Sequence, residues 1–213
     1  MQCRDRTLGG RTMKISQAIA PKDWGAIKDY DTWSPGTFKQ DKWVLHWHGP
    51  AVTLKDPYEV MRAIEDFHIN GRGWRGFAYG YAIAPDGTLF RGRGEKPQAS
   101  HTGDVDNDGI NENKEGVSVL FMFGEGQEVT KEAFETFKSM WRERPFDVYG
   151  HRDIKNTACP GDQIYDWLKG YKFKVAPDLE VARGSKPLDV DKRLLYPEHE
   201  FACPSCGKRL KVT

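Results

Sequence analysis

No stretch of the chain approaches the roughly 20 consecutive apolar residues of a membrane-spanning helix, so no membrane span is expected. Nor is there an excess of one charge. The 32 Lys and Arg stand against 31 Asp and Glu, a formal net charge of +1 over 213 residues. That balance lacks the strongly basic footprint of a nucleic-acid binder, and no nucleic-acid partner is expected. Cysteine is scarce. Four of them, Cys3, Cys159, Cys203 and Cys206, do not make a disulfide scaffold in a chain this long, and they suit a reducing compartment with thiols reserved for metal. The opening Met1-Gln2-Cys3-Arg4-Asp5-Arg6 has no apolar signal-peptide core. The expectation is synthesis in the cytoplasm, with another agent releasing the protein if its substrate lies outside. Internal repeats and low-complexity segments are also missing.

Apolar residues reach 38%, including 11 Phe, 8 Tyr and 7 Trp, enough for one sizeable core in a protein expected to be a monomer. Residues 1–39 read as irregular, broken by Gly9-Gly10 and Ser34-Pro35-Gly36. Trp43 to Trp47 is a short apolar run expected to be a buried strand. Asp56-Pro57 opens a helix through about Ile69, with Val60, Met61, Ile64 and Phe67 at helical spacing. Phe77–Ala84, the turn Pro85-Asp86-Gly87 and Thr88–Arg91 predict a β-hairpin. A strand over Val117–Phe123, a helix capped by Thr130 through Glu143, a strand over Phe146–Tyr149 and a helix over Asp162–Leu168 follow. Strands alternating with helices, plus one hairpin, predict an α/β fold with a mixed central β-sheet flanked by helices. This domain is expected over residues 40–175. Residues 176–213 form a charged tail carrying a small cysteine-bearing unit.

The chemistry concentrates in Gly150-His151-Arg152-Asp153-Ile154-Lys155-Asn156-Thr157-Ala158-Cys159-Pro160-Gly161 and in Val44-Leu45-His46-Trp47-His48. His151 and Cys159 stand eight positions apart in a turn-rich stretch, and His46 ends an apolar run. Two imidazoles and a thiolate suit zinc, and three protein ligands leave a fourth position for water, as catalytic zinc sites do. Such an ion acidifies its water to a pKa of about 7 and polarises a carbonyl, so metal-assisted amide hydrolysis is the natural reaction class. On ligand types alone, a core histidine, a loop histidine and a free thiol explain the same residues.

These segments resemble the zinc-dependent N-acetylmuramoyl-L-alanine amidases, a family that includes phage lysozyme-type amidases and peptidoglycan-recognition proteins. The match runs over roughly residues 40 to 170: Val44-Leu45-His46, Tyr79 seven residues before Asp86-Gly87, Gly92-Arg93-Gly94, His101-Thr102, and Gly150 to Gly161 almost letter for letter. Where relatives usually carry histidine after the tyrosine, this chain has Gly80. The resemblance implies zinc on His46, His151 and Cys159. It also implies Tyr79 near the developing oxyanion, and Thr157 where relatives carry threonine or a catalytic lysine. Lys155 is out of register with that lysine. The general-base glutamate of some relatives has no counterpart, because Leu120 or Phe121 falls there. His48 and His101 are candidates to touch substrate, and Trp47 and Trp74 are either sugar-stacking surfaces or core.

Two further signals stand apart. Asp104-Val105-Asp106-Asn107-Asp108-Gly109, with Glu115 at the twelfth position, fits a calcium-loop pattern. No helix clearly precedes it, and a solvated acidic loop fits equally well. Calcium there is expected to order a loop on the rim of the active site. Cys203-Pro204-Ser205-Cys206 is half of a structural zinc site, which His199, Cys3 or a second chain could complete.

The expectation is therefore an amidase that cuts the N-acetylmuramoyl-L-alanine bond of bacterial peptidoglycan, of the phage endolysin type, acting on the wall after release. The alternative is a module that binds peptidoglycan without cutting it, as relatives lacking the metal cysteine do. A regulatory protein using its tail to hold a partner is the third reading.

Overall fold

The computed structural model describes residues 12–34, 40–95, 112–171 and 173, with two short backbone stretches at 201–202 and 209–210. A single helical turn, α1 (Pro21–Trp24), starts on a proline and ends at Gly25. The first strand, β1 (Lys42–Gly49), is buried from Lys42 to His46 and emerges at its last three residues. Asp56 then accepts the Tyr58 amide at 3.0 Å and caps α2 (Pro57–Asp66), which buries Val60, Met61 and Ile64. The expected helix through Ile69 continues as a wider π turn over Phe67–Gly71, which buries His68. The hairpin is shorter than its apolar pattern: β2 (Tyr81–Ile83) pairs antiparallel with β3 (Leu89–Arg91).

After a single turn, α3 (Glu112–Glu115), comes β4 (Gly116–Gly124), buried along its whole length. Thr130 accepts from the Ala133 amide at 3.3 Å and starts α4 (Lys131–Glu143). The same hydroxyl donates to the Pro85 carbonyl at 2.6 Å, tying the helix start to the hairpin turn. Strand β5 (Asp147–Gly150), the one-turn helix α5 (His151–Ile154) and α6 (Asp162–Gly170) follow. The tail contributes β6 (Phe201–Ala202) paired antiparallel with β7 (Arg209–Leu210). By contacts the chain divides into two units, 1–174 and 175–213.

Sheet order is β3-β2-β4-β1-β5, with β2, β4, β1 and β5 parallel and β3 antiparallel at the edge. This is the mixed sheet flanked by helices that the alternating pattern predicts. Strand alternation sends Val117, Val119, Phe121 and Phe123 to one face, against Phe137 and Met140 of α4 and Ile164 and Leu168 of α6. Leu120 and Met122 go to the other, with Met61 and Ile64 of α2 and Trp24 of α1. Both faces are covered, which is why β4 reads as a nearly unbroken apolar run.

The segment before β1 is less irregular than its composition suggests. Ile19 exchanges backbone bonds with Leu89 and Arg91 at 2.8 and 2.9 Å, and the Trp24 indole donates to the Arg91 carbonyl at 2.8 Å. Glu65, fully buried on α2, accepts from the Ile27 amide at 2.7 Å and the Tyr30 hydroxyl at 2.5 Å. A buried carboxylate needs such donors, and here the early segment supplies them.

Candidate metal centre

Strand register brings the two histidines together. Leu45 of β1 is paired with Gly150 of β5, so the next residues, His46 and His151, leave adjacent parallel strands side by side at their carboxyl ends. Ligands of open α/β sheets bind at this edge. The imidazole centroids are 4.5 Å apart, and His46 is buried. The chain then turns back so that Cys159 Sγ lies 3.5 Å from His46 Nδ1 and receives a backbone hydrogen bond from Trp47. Ligand atoms of His46, His151 and Cys159 all fall within 4.8 Å of one another. Tetrahedral zinc at ordinary bond lengths needs ligand separations of roughly 3.3–3.8 Å, so small rotations would complete the cradle.

The donor set fits a cation on physical grounds. His151 Nε2 is buried without a hydrogen-bond partner among the described residues, a costly state for a polar nitrogen that an ion would relieve. Burial, aided by Lys155, lowers the His151 pKa and keeps its imidazole neutral, the form that ligates metal. Burial pushes the Cys159 thiol up to about 12, opposed by the Trp47 amide and by Arg152. Without a cation it is a protonated thiol, and ligation must release that proton.

Tyr79 stands beside the cluster, its ring centroid 5.1 Å from that of His46. Burial, then the proximity of Cys159, raises its pKa, so the phenol remains a proton-bearing donor at neutral pH. The Thr157 hydroxyl oxygen accepts the Cys159 amide at 3.2 Å, which leaves its own proton for another acceptor. His48 is outside the three-ligand cluster: its Nδ1 donates to the Pro50 carbonyl at 2.8 Å. Trp47 is occupied in packing, because a Cβ on Gly161 would meet its ring at 2.6 Å. Trp74 is 40% exposed and stacks on His68 with centroids 4.9 Å apart. Gly80 has a steric cause. A Cβ there would lie 2.7 Å from the Gly94 carbonyl oxygen and 3.0 Å from Val117, so the side chain relatives carry has no room. In Gly92-Arg93-Gly94 the arginine is structural: buried Arg93 donates through Nε to the Phe77 carbonyl, bracing the segment that leads to Tyr79.

His101, three calcium-loop candidates (Asp104, Asp106 and Asp108) and the tail residues His199, Cys203 and Cys206 lie outside the described residues. The fourth calcium candidate, Glu115, pairs with Lys42 Nζ at 2.7 Å. It precedes β4, and Lys42 begins β1 in register with Gly116. This is the amino edge of the parallel strands, opposite the end from which His46 and His151 project.

Sequence reasoning assigned no role to Asp153, Tyr165 or His68, which pack around the centre. Asp153 was visible in the motif. Its carboxylate, at the third position of α5, accepts the Gly150 amide as the acid of a capping box does. His68 gave no signal, because a lone histidine on a helix face is indistinguishable from a core residue.

No family model matches the chain. Peptidoglycan recognition protein 1 of Mus musculus is 28% identical over 180 residues, covering 80% of this chain and 96% of that protein. Peptidoglycan-recognition protein LB of Drosophila melanogaster is 24% identical over 173 residues, 73% of this chain and 69% of that protein. An N-acetylmuramoyl-L-alanine amidase of Sus scrofa is 26% identical over 121 residues, 51% of this chain but 19% of that longer protein. Among solved structures, peptidoglycan recognition protein-LE in complex with tracheal cytotoxin, a monomeric diaminopimelic acid-type peptidoglycan, superposes with a TM-score of 0.64 at 20% identity, covering 78% of this chain and 99% of that one. Wild-type Drosophila PGRP-LB superposes with a TM-score of 0.58 at 20% identity, covering 76% and 97%. By sequence the chain is similar to peptidoglycan recognition proteins and to part of an N-acetylmuramoyl-L-alanine amidase, and it shares the fold of the recognition proteins' solved structures.

Proposed function

We propose that this chain is a zinc-dependent N-acetylmuramoyl-L-alanine amidase acting on bacterial peptidoglycan. The observation that carries the reading is the meeting of His46, His151 and Cys159 within 4.8 Å, with a buried His151 nitrogen left for a cation. The likeness to an amidase and to recognition proteins supports the substrate class.

His46, His151 and Cys159 would hold the zinc ion, which would supply Lewis-acid chemistry for activating water and polarising a carbonyl. Water adds to the lactyl carbonyl carbon, the carbon–nitrogen bond breaks, and a carboxylate and the L-alanine amine leave. Tyr79, kept protonated by burial, donates a hydrogen bond to the carbonyl oxygen as negative charge develops there. Thr157, its oxygen committed to the Cys159 amide, turns its proton to the same oxygen. His48 and His101 are the side chains assigned to substrate contact in this reading.

Purified muropeptides incubated with the protein should yield free stem peptide and peptide-free muramic acid. Chelator and Cys159→Ser should each abolish the product. Product formation that survives both contradicts this mechanism. A second reading, recognition without cleavage, is favoured by the relatives named as recognition proteins. It predicts muropeptide binding with no product at any zinc concentration.

A further inference from the structure

Of the residues between His151 and Cys159, the mechanism above gives a task only to Thr157. Asp153 is among the others. Its Oδ2 accepts the Gly150 amide at 2.8 Å, fixing the backbone from which His151 leaves β5. Its Oδ1 accepts the Tyr165 hydroxyl at 2.6 Å and Lys169 Nζ at 2.9 Å. Both donors lie on α6, the helix that starts directly after the Cys159-Pro160-Gly161 turn. One carboxylate thus ties the launch point of His151 to the helix that follows Cys159. Arg152 adds a parallel tie, with Nη2 donating to the Ala158 carbonyl at 2.5 Å and Nη1 to Asp162 at 2.8 Å.

We infer that Asp153 is a positioning residue for the metal centre, setting the distance between His151 and Cys159 through the Gly150 amide and α6. The inference rests on the reading that those residues hold a metal ion. A helix of one turn cannot hold its own geometry, because nucleation costs more than its few hydrogen bonds return. The four residues of α5 are such a helix, and His151 is the first of them. External anchors must therefore orient it, and Asp153 is the anchor that joins the Gly150 amide, where His151 leaves β5, to the helix after Cys159. Metal sites lose affinity when ligands drift by about half an ångström.

The test is zinc affinity, measured by competition with a chromophoric chelator, together with the thiolate-to-cobalt absorption of the cobalt-substituted protein. Asp153→Ala should weaken zinc by about 10–100-fold at a temperature where its melting curve shows it folded. It should also shift the cobalt spectrum. Asp153→Asn keeps an oxygen for the Gly150 amide and should recover part of the loss. Tyr165→Phe removes one donor and should weaken zinc by about two- to tenfold. If Asp153→Ala does not fold, Tyr165→Phe decides by the same criterion. Variants that melt lower yet bind zinc within twofold of wild type, with an unchanged cobalt spectrum, overturn the inference alone. A wild-type protein that binds no zinc overturns the amidase reading and this inference with it.

Discussion

Gly161→Ala is the substitution whose consequence the structure fixes most closely. Gly161 has φ 84° and ψ 156°, a region that only glycine occupies without strain. Alanine there costs about 1–3 kcal/mol in backbone strain. Its Cβ would also lie 2.6 Å from the Trp47 ring, closer than the 3.0 Å below which real Cβ atoms essentially never come. Overpacking of this kind costs a further 1–3 kcal/mol or so. The sum, about 2–6 kcal/mol, is smaller than most domain stabilities of roughly 5–15 kcal/mol, so the variant should still fold. Taking the middle of the range and about 2–4 °C per kcal/mol, the melting temperature should fall by roughly 8–16 °C. Relief of the clash has a direction. Either Trp47, next to His46, or the turn carrying Cys159 must move, and both segments carry proposed metal ligands. Calorimetric melting of the variant with and without saturating zinc is the assay. Wild-type protein should gain stability from zinc, and the variant should gain much less. A variant that melts within about 2 °C of wild type and gains the same increment from zinc refutes the packing argument.

Tyr79→Phe should lower kcat by about 10²–10³-fold with zinc content unchanged, because it removes an oxyanion donor and no ligand. Muropeptide kinetics beside metal analysis separate the two effects. His68 is buried and its pKa is lowered to about 4, chiefly by burial and then by Arg93 and Arg72. The depressed value means that the neutral ring contributes stability above its unfolded pKa of about 6.5, and that this is lost as pH falls toward 4. Urea unfolding at pH 7 and pH 4.5 should differ by on the order of 2–3 kcal/mol more in wild type than in His68→Gln. Equal pH dependence in the two would contradict that assignment. Because the Cys159 thiol is held protonated without metal, zinc binding should release its proton. Apparent affinity should then rise about tenfold per pH unit between pH 6 and 8, and a flat profile would exclude thiolate ligation.

Much of this arrangement was legible in the residues. The sheet could be read because β4 must be buried on both faces, and only apolar residues serve there. The candidate triad of His46, His151 and Cys159 could be read from the family resemblance of the segment Gly150 to Gly161, since ligand types alone fit an ordinary core histidine, a loop histidine and a free thiol equally well. Three things were hidden. Early residues looked irregular because their order comes from partners far away in sequence, such as Glu65 holding Ile27 and Tyr30. Hairpin strands came out shorter than their apolar runs, because Phe77 to Gly80 are held by Arg93 and Ser118 rather than by a full ladder. The position of Glu115 at the amino edge was hidden too, because spacing carries no information about which edge of the sheet a residue occupies. Parallel register with Lys42 decides that.

The most direct test of the account is zinc stoichiometry by elemental analysis in three proteins: wild type, Cys159→Ser, and a variant with both Cys203 and Cys206 changed to serine. One equivalent should persist in the tail variant and be lost in Cys159→Ser. Zinc content that is indifferent to Cys159 contradicts the account at its centre.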